Sequence, residues 1–104
     1  MKRLKVIIPP RVQEQITVQV LRIAEDSIDN ALAWEDRIGS AIEGIGDVPG
    51  NAVDEDASTR LGYQVRKNVF EGTYLIHYRV DDVAGIVRIV NFRHGARLPR
   101  IDEP

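Results

Sequence analysis

The chain has 104 residues, 43% of them apolar and 29% charged, which suits one ordinary domain with a single core. It has no cysteine, so disulfides, thiolate nucleophiles and cysteine-ligated zinc or iron–sulfur centres are excluded. No apolar run approaches the roughly 20 residues of a membrane span. Only Val6, Ile7 and Ile8 run together before Pro9, short of the ~7–15 apolar residues of a secretory signal, so a cytoplasmic protein is expected.

The first predicted element is a strand over Lys2 to Ile8, stopped by Pro9-Pro10, which in turn suit the first turn of a helix. Arg11 to about Ile28 has an amphipathic helical period, with Val12, Ile16, Val20, Ile23 and Ala24 on one face. Ser27 to Asp29 offers a break and a new N-cap. A second helix is predicted over Asn30 to Glu43, with Ala31, Trp34, Ile38, Ala41, Ile42 and Ile45 as its stripe and Gly44 or Gly46 closing it. The short connection makes the pair an αα-hairpin.

Residues 46–62 show no period and carry Pro49, Gly50, Asn51 and the acidic run Asp54-Glu55-Asp56, so they are predicted to form a loop. Tyr63 to Val69 alternates as a strand. Glu71-Gly72 is a turn. Tyr74 to Val80 is a second strand, with Tyr74, Ile76, Tyr78 and Val80 on one face and Leu75, His77 and Arg79 on the other. A hairpin turn follows at Asp81 to Gly85. Ile86 to Phe92 is a third strand, apolar on both faces except at Arg88 and Asn91, and therefore expected at the centre of the sheet. Arg93 to Pro104 is a polar tail. The order gives a single α+β domain over residues 1–104: a strand, a helical hairpin, then three antiparallel strands, with the helices on one face of the sheet.

The net charge of −2 is unevenly spread. From residue 60 onward Arg60, Arg66, Lys67, Arg79, Arg88, Arg93, Arg97 and Arg100 outweigh the acids, whereas the first half is acidic. A basic half suits a polyanionic target, an acidic partner segment, or merely a solvated sheet face. Both helices are net acidic and show no basic recognition-helix pattern, so direct reading of DNA is not expected.

The stretch Leu61-Gly62-Tyr63-Gln64-Val65-Arg66-Lys67, followed by Gly72-Thr73-Tyr74-Leu75-Ile76-His77-Tyr78-Arg79-Val80-Asp81-Asp82, resembles the strand pair of the RelE/ParE toxins. Val90-Asn91-Phe92-Arg93-His94-Gly95-Ala96-Arg97 resembles the ParE-type ending, and the Ser27-to-Ala31 junction of the helical hairpin also fits. The likeness spans about residues 4–98 and rests on the ordered set, no single motif being diagnostic. It implies two helices against a four-stranded sheet. It also implies the toxin half of a toxin–antitoxin pair, held by a cognate antitoxin in a hetero-oligomer. Operator DNA would be met only through that antitoxin. ParE-like members bind and block DNA gyrase; RelE-like members cut messenger RNA on the ribosome.

Cleavage of RNA needs a base, an acid and cations around the phosphorane. Carried over position by position, the resemblance puts Leu75 where a nuclease has its arginine, and no tyrosine follows Arg93. What remains is a reduced catalytic set of Arg66, Arg93, His94 and Arg97. For target or antitoxin binding the candidates are Arg60, Arg66, Lys67, Arg93, His94 and Arg97. Gly95 and Ala96 are small enough for a partner backbone to approach closely. An imidazole at His94 could serve as acid or base near neutrality. His77 is expected to be structural and Trp34, Tyr74 and Tyr78 to be core. No metal-ligand spacing is present and no cofactor is expected.

Overall fold

The structure, a computed structural model, describes residues 3–95. Its elements are β1 (Lys5–Ile7), α1 (Pro10–Ala24), α2 (Ile28–Ile45), α3 (Glu55–Leu61), β2 (Arg66–Phe70), β3 (Tyr74–Asp81) and β4 (Ile86–His94). This is an α+β architecture of the expected layout, with one added helix.

Pro9 and Pro10 end β1 and open α1, where their missing N–H groups cost no intrahelical bond. α1 stops at Ala24, four residues short of the expected end. Ser27 explains the stop: its backbone is extended, and its Oγ accepts the Asn30 N–H at 3.1 Å as the N-cap of α2. Because α2 begins at Ile28, the hairpin turn takes only Glu25, Asp26 and Ser27.

The 46–62 stretch is not all loop. Asp54 caps a two-turn helix, α3, by accepting the Ala57 N–H at 3.0 Å. Gly62 ends it in the left-handed conformation (φ 81°), donating its N–H to Ser58. Seven residues are too few for an apolar period to show, and tertiary contacts stabilise this turn of chain. The expected strand from Tyr63 begins only at Arg66. The last strand runs past Phe92 to His94, so the tail starts later than expected.

The sheet order is β1-β4-β3-β2, with β1 parallel to β4 and the other neighbours antiparallel. β4 is internal, as its apolar faces predict. Its two-faced pattern has a further cause. His77 pairs with Asn91 but Tyr78 pairs with Ile89, so Val90 is an extra residue in β4. This bulge reverses the alternation, and Val87, Ile89 and Phe92 all turn inward despite their mixed parity.

The core lies between α1, α2 and one sheet face. Val12 and Ile16 of α1 and Trp34, Ile38, Ile42 and Ile45 of α2 meet Phe70, Tyr74, Ile76, Tyr78, Val87, Ile89 and Phe92. Trp34 is its aromatic hub, edge-on to Tyr74 at 5.3 Å and to Phe70 and Phe92 at 6.0 Å. The Tyr78 hydroxyl donates to the Pro49 carbonyl at 2.8 Å and accepts from Asn51 Nδ2 at 3.0 Å, tying the segment before α3 to the sheet. No described helix is long and apolar enough to cross a membrane.

Candidate functional site

The sheet face away from α1 and α2 carries the candidate site. Strand alternation puts His77 and Leu75 of β3, Asn91 and Arg93 of β4, and Lys67 and Val69 of β2 on this face. α3 stands over it. Between them lies a cleft of about 240 Å³ lined by Ala57, Arg60 and Leu61 of α3, Tyr63, His77, Val90, Asn91, Arg93, and Arg11 reaching round from α1. The Arg11 guanidinium donates to the Val90 carbonyl, which the bulge leaves out of the strand ladder.

His77 is buried, and its Nε2 lies 2.9 Å from Asp54 Oδ2. Asp54 thus holds both the helix start and the imidazole. Burial pushes its carboxyl pKa up, but the Ala57 N–H, the His77 hydrogen bond and the nearby His77 and Lys67 charges together hold it below the ordinary value. The structural role expected for His77 agrees with this burial and pairing, and the ring also forms part of the cleft wall.

Arg93 is the other unusual group. Its Nε is buried and has no hydrogen-bond partner among the described residues. Burial and the neighbouring Arg60 charge lower the pKa of its guanidinium, only partly offset by Asp54. Beside it, Leu75 is half-buried between Val69 and Arg93 on the adjoining strands.

The sequence candidates do not converge. Arg60 and Arg93 share the cleft, and Lys67 is exposed on the same face opposite His77. Arg66 pairs with Tyr78 and therefore points to the opposite, helix-facing side, where its guanidinium donates to the Asn51 carbonyl. His94 also faces that side. It sets its ring edge-on to Tyr74 at 5.1 Å and borders a shallow hollow with Gln15, Val18, Gln19 and Arg22 of α1 and with Phe92 and its chain neighbour Arg93. Arg66 and His94 pair with Tyr78 and Tyr74, four residues apart along β3, or roughly 13 Å at ~3.3 Å per residue. The set Arg66, Arg93 and His94 is thus split between two faces and two ends of the sheet. Arg97 lies outside the described residues.

Gly95 is small for an internal reason. A Cβ there would sit 2.6 Å from the Thr73 carbonyl oxygen, to which the Gly95 N–H donates. The close approach expected of a partner backbone is made by the chain itself.

Sequence reasoning missed Asp54, Arg11, Tyr63 and Asn91 as site residues. The one available signal was the face shared by Leu75, His77 and Arg79. Among the described residues no three histidines or carboxylates gather where a metal ion could be held. No protein-family model matches the chain, and no curated protein matches it.

Proposed function

We propose that this protein is the toxin of a toxin–antitoxin pair, of the RelE/ParE type, which acts in the cytoplasm by binding its target rather than by cutting RNA. The observation that carries the binding mode is the dispersal of the would-be catalytic set. Arg66 is consumed by the Asn51 carbonyl on one face, Arg93 lies in a cleft on the other, and Leu75 stands between the strands where a cation would be needed. An in-line attack on phosphorus needs acid, base and cations within hydrogen-bond reach of one phosphate. The order of a strand, two helices, a short third helix and three antiparallel strands supports the toxin reading, as does the sequence likeness over about residues 4–98. DNA gyrase is the target that this likeness favours, with a cognate antitoxin as the neutralising partner.

The test is a supercoiling assay with purified gyrase and the purified chain, alongside induction of the chain in a bacterial host. Growth arrest with loss of supercoiling activity is expected. Undiminished gyrase activity at excess protein would reject gyrase as target, and harmless induction would reject the toxin reading as a whole.

A second reading, ribosome-dependent RNA cleavage, draws on a different group of residues from those expected. Asp54-oriented His77 shares the cleft with Arg60 and Arg93, which puts an imidazole and two guanidiniums together. That reading requires messenger RNA to be cut in a ribosome-containing extract and requires His77→Gln to abolish the cutting.

A further inference from the structure

We infer that the cleft between α3 and the sheet is a carboxylate-binding site, built to seat an acidic side chain flanked by apolar residues on a peptide segment of a partner protein. Three observations carry this. Three arginines, Arg11, Arg60 and Arg93, line the cleft and no carboxylate among the described residues does; of the acids near it, Asp56 pairs with Arg60, and Asp54 already holds the Ala57 N–H and His77. Among the described residues the buried Arg93 Nε–H has no acceptor, and a buried donor left unmade is destabilising. An arriving carboxylate would supply that acceptor, and a guanidinium fork suits its two oxygens. The remaining walls are largely apolar, from Ala57, Leu61, Val90 and the Tyr63 ring, so the guest's neighbouring atoms should be apolar too.

A peptide fits these features better than a nucleic acid does. Glu55 and Asp56 stand at the start of α3, Asp81 ends β3 and Asp82 follows it, so a long polyanion crossing this face would meet acids that a single seated carboxylate need not. Arg60 is paired with Asp56 at 3.4 Å, and the Arg79 guanidinium lies 3.9 Å over the Tyr63 ring. A polyanionic backbone would need a continuous run of free cations. A single carboxylate needs only the unsatisfied arginine.

The inference goes beyond the toxin reading, because it concerns how a partner segment is held and stands whatever the target is. It is tested by NMR titration of the ¹⁵N-labelled full chain, following the arginine Nε–H resonances. Those of Arg93 and Arg60 are assigned with Arg93→Lys and Arg60→Gln. The probes are a soluble twelve-residue peptide containing leucine–aspartate pairs, the same peptide with asparagine for aspartate, and hexauridylate. The aspartate peptide is expected to shift the Arg93 resonance progressively and to bind roughly tenfold more tightly than the asparagine peptide, as a charge-assisted bond of ~1.5 kcal/mol implies. Arg60→Gln, at an exposed position that should not disturb folding, is expected to weaken binding several-fold. Equal binding of the two peptides, or an unmoved Arg93 resonance at millimolar peptide, would overturn the inference. Hexauridylate saturating the Arg93 shift more tightly than the aspartate peptide would also overturn it and make the cleft an RNA site. Gyrase inhibition is measured separately, so neither failure entails the other.

Discussion

Asp54 and His77, 23 residues apart in sequence, are joined by a 2.9 Å contact that fixes α3 to the sheet. The same carboxylate caps α3 through its other oxygen. One side chain therefore sets where the helix starts and how it lies over the strands.

Replacing Asp54 by alanine should remove both contacts. The lost cap costs about 1 kcal/mol, and the buried imidazole left without its partner costs about 1–3 kcal/mol more. Asp54→Asn keeps an oxygen for the Ala57 N–H and should lose clearly less than Asp54→Ala. Urea unfolding of the three proteins measures this order.

Asp54 should also make stability depend on pH in acid. Its carboxyl titrates below the ordinary value in the folded chain. Such a group contributes stability that is fully present above the unfolded value, about pH 3.9, and that is lost as pH falls through the lower folded value. The stability difference between the protein and Asp54→Asn should thus be steady near pH 5–6 and shrink below about pH 4. A difference that grows on acidification would contradict the assignment.

Arg66 and Arg93 should behave as different kinds of residue. Arg66→Ala removes a charged hydrogen bond to the Asn51 carbonyl and should cost about 1–2 kcal/mol, with target inhibition retained by whatever fraction stays folded. Arg93→Gln removes a half-buried side chain whose Nε–H has no acceptor among the described residues, and should cost little stability while altering partner binding. Thermal melts together with the supercoiling assay separate the two.

Gly95→Ala should destabilise the end of β4 by about 1–3 kcal/mol, because the new methyl meets the Thr73 carbonyl and one strand end must shift. The reading of Gly95 as a gap kept open for a partner demands the reverse: a stable variant with weakened binding.

Much of the fold was legible because its signals are periodic. The stripe Trp34, Ile38, Ile42 and Ile45 and the alternation of Tyr74, Ile76 and Tyr78 each repeat often enough to define a buried face. α3 was not legible, since one capping aspartate and one αL glycine in an acidic stretch look like loop chemistry. The site was harder still. Whether Arg66 and Arg93 share a face depends on strand register and on the unpaired Val90, and neither is written in residue type. The structural reading of His77 rested on its strand face and agrees with its burial, but its partner Asp54 was not foreseen, because it comes from the stretch whose helix was not legible.

The extra residue in β4 has a further consequence for how other chains can attach. Beyond its three-residue pairing with β1, β4 has an open side, and there α1 takes the main-chain groups: Arg11 holds the Val90 carbonyl and Gln15 Oε1 accepts the Phe92 N–H. On the far side of the sheet, Ala52 to Asp54 pair with the start of β2. β1 itself is short and runs into two prolines. The borders of the sheet are thereby largely blocked to an added strand. Recognition of this protein is left to side chains on its faces, and sequence-tolerant main-chain zippering, along with the aggregation it invites, is disfavoured.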